Sequence, residues 1–133
     1  MKRLILGAVC CAIVVVSAGC RGPLTLANIQ VGRSLNTDRT VGVPTTRFKP
    51  TETVYVSIHT AERGKGTIGV RWKYFEKVID EPTKQVSTDG ADATEFHLTN
   101  SGGFPNGDYS VDVLIDGKVV GTRTFKVDDT NIK

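Results

Sequence analysis

From Leu26 onward, apolar and polar side chains alternate with a period of two, and no stretch repeats apolar residues at the three-and-four spacing of a helix. The alternation is sharp in Thr53–Thr60, where Val54, Val56 and Ile58 point one way and Tyr55, Ser57 and His59 the other. Thr67–Phe75 sets Ile68, Val70, Trp72 and Tyr74 against Arg71 and Lys73, the pattern of a sheet with one wet face. Leu26–Val31 predicts a first strand with Ala27, Ile29 and Val31 on one face, and Thr94–Thr99 a later one with Phe96 and Leu98 inward. Lys84–Ser87, after the breaker Pro82, reads as a weak edge strand.

The clearest pattern is at the end of the chain. Tyr109, Val111, Val113 and Ile115 alternate up to Asp116-Gly117, a hairpin pair suited to the positive φ angles of a type I′ turn. In the returning run Lys118–Val127, Phe125 and Val127 share a face with Val119, but Arg123 falls there too. A bulge near Gly121 resolves the conflict. The Arg63-Gly64-Lys65-Gly66 tip reads as a turn, Arg33–Thr40 as a polar connection, Pro44 and Pro50 as brackets of an irregular region, and Ser101–Gly107 as a loop. About seven strands at these spacings predict an all-β fold, a single Ig-like antiparallel β-sandwich spanning residues 26–133. Trp72 and Tyr109 take the places of its buried tryptophan and tyrosine corner.

The segment ahead of the strands has another character. Lys2 and Arg3 precede an apolar run, Leu4–Val16, which ends in Ser17-Ala18-Gly19-Cys20. A basic head, a short apolar core and a small-residue exit form a secretory signal peptide. The last four residues resemble the bacterial lipobox, with Ser17 where a leucine is preferred. The resemblance implies cleavage after residue 19, a diacylglycerol on Cys20 and a lipidated tether over residues 20–25. Cys10 and Cys11 leave with residues 1–19, so the mature chain keeps one cysteine and no disulfide can close within it.

Cleavage also changes the charge. The 133-residue chain carries a formal +3, and loss of Lys2 and Arg3 leaves fifteen basic residues against fourteen acidic, a balance of +1. No basic stripe with interleaved aromatics appears, and nucleic-acid binding is not expected. Charged residues at 23% and hydrophobic residues at 39% place the chain among ordinary globular proteins.

Two segments carry a further resemblance. Thr46-Arg47-Phe48-Lys49-Pro50-Thr51-Glu52-Thr53-Val54-Tyr55 and Gly103-Phe104-Pro105-Asn106-Gly107-Asp108-Tyr109-Ser110-Val111 resemble parts of small bacterial Ig-like lipoprotein domains, with Phe104 in a place usually held by tryptophan. Those families mostly lack an assigned activity, so the resemblance implies a fold more than a chemistry.

Candidate chemistry is sparse. His59 and His97, the two histidines, fall on outward strand positions and lack the ligand company of a metal site. Asp89, Asp92 and Glu95 are spaced by three around Gly90, an acidic turn without the dense ligand spacing of a calcium loop. Ser57 lies two residues from His59, with no elbow or oxyanion glycine around it. Arg63, Lys65, Arg71 and Lys73 could form a basic patch for acidic polysaccharide or lipid headgroups, or simply a solvated strand face. Phe104 is either a plug in the sandwich end or an exposed aromatic anchor.

These features lead us to expect a non-enzymatic envelope lipoprotein with no cofactor or metal. It would be held to the membrane through Cys20 and would contact another envelope protein or a glycan. By analogy with Gram-negative lipoprotein sorting, Arg21 after the acylated cysteine, rather than an aspartate, implies the outer membrane, facing the periplasm. The alternative is an inhibitor or immunity-type lipoprotein that blocks a hydrolase through the loops at Arg63 or Phe104.

Overall fold

The computed structural model describes residues 22–129 and contains nine strands and no helix. The strands are β1 (Leu26–Gly32), β2 (Arg47–Phe48), β3 (Val54–Thr60), β4 (Gly64–Tyr74), β5 (Lys77–Asp80), β6 (Thr83–Thr88), β7 (Asp92–Leu98), β8 (Gly107–Ile115) and β9 (Lys118–Val127). They form two sheets, one ordered β1-β3-β7 and the other β2-β9-β8-β4-β5, with β6 also paired to β4. The architecture is an Ig-like β-sandwich, as the alternation predicts.

Two features raise the strand number above seven. β5 and β6 both pair with β4, against its C-terminal and N-terminal halves respectively. They amount to one edge strand interrupted at Glu81-Pro82, and β5 carries no alternation because all four of its residues are exposed. The two-residue β2 runs parallel to β9, so the larger sheet is mixed rather than wholly antiparallel.

The core lies between the sheets. Val54, Val56 and Ile58 from β3 meet Ile68, Val70 and Trp72 from β4 and Val111 and Val113 from β8, all at most 1% exposed. Phe125 stands edge-on to Trp72 at 6.2 Å and stacks on Tyr109 at 5.3 Å. The Tyr109 hydroxyl donates to the carbonyl of Pro105 at 2.7 Å, completing the tyrosine corner. Burial pushes its phenol up to about 12, with the neighbouring Tyr74 adding to the shift. Leu24, ahead of the first strand, is buried in the same core.

The turns follow local chemistry. Asp116 and Gly117 take φ values of 51° and 84°, the I′ geometry. The bulge falls beside Gly121: Val113 pairs with Gly121 and Leu114 with Val119, leaving Val120 extra. The bulge corrects the parity of Val119, which moves to the outward face at 52% exposure, while Arg123 keeps the face of Phe125 and Val127 but lies exposed at the sheet margin. In β1 a register shift between Leu26 and Asn28 likewise frees Ala27 to solvent and turns Leu26 toward the core. The turn at residues 63–66 is shorter than expected, because Gly64 already belongs to β4.

The polar connection after β1 is not a free loop. Gly32 bridges to Pro44 and Leu35 to Val41, folding the segment into a strap across the outward side of the smaller sheet. Arg39, at φ 70°, donates to the Ala93 carbonyl and to Asp92, both at 2.6 Å, and its own carbonyl accepts from Ser57 Oγ at 2.7 Å. Ser57 is therefore 0% exposed, although the alternation marks it as an outward position. A Cβ on Gly32 would lie 2.3 Å from both Val41 Cγ1 and the Val43 carbonyl oxygen.

Gly32→Ala should cost about 1–3 kcal/mol by forcing the strap off β1. Gly90→Ala, whose Cβ would meet nothing within 4 Å, should stay within about 0.5 kcal/mol of the parent in urea unfolding. Absorbance titration should show one tyrosine ionising near 12. Tyr109 holds its proton more tightly when folded, so its share of stability is full below the ordinary phenol range and falls as pH rises from 10 toward 12. Tyr109→Phe should flatten that alkaline decline.

Candidate functional site

The outward face of the larger sheet holds a polar cluster centred on Asp112. Arg71 and Lys73 of β4 flank Asp112 of β8, because Arg71 pairs with Asp112 in register and Lys73 lies two residues along the same face. Asp112 accepts from Thr122 Oγ1 at 2.8 Å and meets Lys73 Nζ at 3.0 Å and Arg71 Nη1 at 3.8 Å. Arg71 Nε also donates to Glu81 at 2.8 Å. Asp112 is only 7% exposed. Burial works to raise its pKa, but the hydrogen bonds from Lys73 and Thr122 and the charges of Lys73 and Arg71 prevail and hold it below the usual carboxylate value.

This network bears on the two readings of Arg71 and Lys73, a basic patch or a solvated strand face. Arg71 and Lys73 are matched by Asp112 and Glu81, so neither presents an unpaired charge. Arg63 and Lys65 sit apart from it at the start of β4, both exposed. The six residue steps from Lys65 to Arg71 span roughly 20 Å. Phe104 lies at the opposite end of the sandwich and is 6% exposed, its amide donating to the Pro50 carbonyl at 2.8 Å and its ring edge-on to Tyr109 at 5.9 Å. It is the plug and not an exposed anchor. Cys20 lies outside the described residues. Of the five candidates on the sandwich, Arg71 and Lys73 share the Asp112 network, Arg63 and Lys65 lie together at the start of β4, and Phe104 stands apart.

The remaining candidates also resolve. Asp92 binds Arg39, and Glu95 meets Lys84 at 3.4 Å and the His97 ring at 3.2 Å, so these carboxylates are engaged by side chains of the chain itself. Among the described residues no group of three potential metal ligands gathers. Ser57 is covered by the strap and spends its hydroxyl on a carbonyl, which closes it to substrate. His59 is half-buried rather than solvated, and its Nε2 is buried without a hydrogen-bond partner, whereas His97 is exposed. Beside the Asp112 network, Lys73, Phe75, Asp108, Ser110 and Thr122 line an open depression of about 480 Å³.

Asp112 and Lys84 escape a reading by alternation alone. Asp112 occupies an outward position, but its burial depends on the β4–β8 and β8–β9 registers, which pattern does not disclose. Lys84 faces inward from β6 and donates to the Glu95 carbonyl at 2.6 Å, with its ammonium 4.9 Å from the Phe96 ring centre.

Asp112→Ala should lower stability at neutral pH by about 1–3 kcal/mol, because it strands Lys73 and Thr122. Asp112 is a stronger acid when folded, so its contribution is complete above the ordinary carboxylate pKa of 3.8 and fades as pH falls below it. Urea midpoints measured across the acid range should show this decline in the parent and a flatter profile in the variant.

No family model and no curated protein matches the chain. Solved structures do. An immunoglobulin-like protein from Pseudomonas aeruginosa superposes with a TM-score of 0.57 at 12% identity, covering 83% of this chain and 100% of that one. An alkylpurine DNA glycosylase from Pseudomonas fluorescens, solved bound to DNA with an abasic-site analog, matches at a TM-score of 0.54 and 12% identity over 80% of this chain and 30% of its own. At that identity the likeness establishes the fold, an Ig-like β-sandwich, and nothing of the chemistry.

Proposed function

We propose that this protein is a lipid-anchored, non-enzymatic module of the bacterial cell envelope that binds another envelope component, a protein or a glycan. The observation that carries the reading is the leader ending in Ser17-Ala18-Gly19-Cys20 directly ahead of a cysteine-free sandwich. A lone thiol outside the cytoplasm is a reactive liability, whereas an acylated one is an anchor. Arg21 supports an outer-membrane address facing the periplasm. The side chains that first suggest catalysis or metal binding are committed elsewhere: Ser57 to a carbonyl, Asp92 to Arg39, and Glu95 to Lys84 and His97. The alternative of a hydrolase inhibitor loses one of its two inserting loops, since Phe104 is packed inside.

In cells the full chain should partition into the detergent phase and carry on Cys20 the mass of a diacylglycerol. Cys20→Ser should abolish the acyl mass and, with the lipobox broken, leave the leader uncleaved while the sandwich still folds. An unmodified thiol on the mature wild-type protein would refute the anchor, and failure of the lipidated protein to crosslink any envelope component would refute the binding role.

A further inference from the structure

We propose that one end of the sandwich rests directly on the phospholipid headgroups, so that the domain stands on the membrane without a free tether. The inference depends on acylation of Cys20 and specifies how the anchored domain is posed. The chain is already docked at Gly22, whose carbonyl accepts from the Lys65 amide at 3.0 Å. Leu24 is buried in the core, and the Thr25 carbonyl accepts from the Ala61 amide at 2.9 Å. Gly64 permits this close approach, because a Cβ there would lie 2.9 Å from the Pro23 carbonyl oxygen.

A single residue, Arg21, separates Cys20 from Gly22. Two Cα–Cα steps reach at most about 7.6 Å. The headgroup layer of one leaflet is itself roughly 5–8 Å deep. A lipid on Cys20 therefore leaves no gap between the bilayer surface and the end where β4 begins.

The exposed residues at that end suit the contact. Arg63 and Lys65 flank the docked segment, and Lys118 follows in the β8–β9 hairpin. Their long apolar stems can lie along the surface while the charges meet phosphates. Glu62, Asp89 and Asp116 also sit at this end, and Asp116 accepts from the Thr67 amide at 2.9 Å. The local charge is thus near balance, and the lipid supplies the affinity while the docked segment sets the pose. Val119 and Val120, lifted out by the β9 bulge, add exposed apolar surface at 52% and 41%. The eleven residues of β4 then carry the Phe104 end about 35 Å from the headgroups.

The test uses the full lipidated chain in vesicles of phosphatidylethanolamine and phosphatidylglycerol bearing a headgroup-attached nitroxide. With Cys20 acylated and no later cysteine, a fluorophore can be placed uniquely at Arg63→Cys or at Ser101→Cys. Given about 35 Å between the two ends, quenching should be roughly threefold or more stronger at position 63. Inserting about ten glycine and serine residues between Arg21 and Gly22 should erase the difference, since such a linker reaches some 15–20 Å and turns freely. Equal quenching at native spacing, or stronger quenching at position 101, would overturn the pose while leaving the anchor intact. Intact mass on the same samples separates the two failures, because absence of the acyl group would remove the anchor and the pose together.

Discussion

The structure depends on apolar contact between two sheets that no disulfide joins. The three cysteines are all at or before position 20, so the sandwich has no disulfide. Trp72 is fully buried at the centre, with Phe125 against it and Tyr109 stacked on Phe125. Edge-on and offset aromatic pairs contribute about 0.5–1.5 kcal/mol each beyond the area they bury. They also fix where β4, β8 and β9 sit relative to one another. The Trp72 Nε1 hydrogen is buried without an acceptor, so the indole is held by shape and not by a polar bond.

Alternation served well wherever one face of a strand is dry and the other wet. It placed the inward positions of β3, β4 and β8, and the Asp116-Gly117 pair marked the hairpin. It failed where a second layer or an irregularity intervenes. Ser57 reads as outward and is buried, since the strap from Arg33 to Thr45 returns over β3. β5 was invisible because its four side chains are all exposed, and the turn before it uses Phe75 at φ 53°, a residue type with no turn signature. That conformation is held from outside, by the Phe75 amide donating to the Asp108 carbonyl and by the ring against Tyr74 at 4.7 Å.

The candidate site shows the same division. Residue types on one strand suggested that Arg71 and Lys73 belong together, and they do. Their anionic partners come from β8 and from the β5–β6 connection, forty and ten residues away, and only the strand pairing brings them in. A count of like charges along one strand therefore overstates the field a sheet presents, because neighbouring strands supply the opposite sign in register. Arg63 and Lys65, at the start of β4, lie away from that Asp112 network.

Two exposed cations on inward-facing strand positions at the sandwich flanks have a further consequence. Lys84 on β6 bonds the Glu95 carbonyl of β7, and Arg123 on β9 bonds the Ile29 carbonyl of β1 at 3.3 Å. Each faces inward near a margin where a strand of one sheet overhangs the other, and each occupies a carbonyl that a foreign strand would use. A neutral apolar side chain in either place would leave a dry seam open to a second molecule. Inward-pointing charge at a sheet margin is a feature that disfavours edge-to-edge pairing between copies of a strand-rich protein.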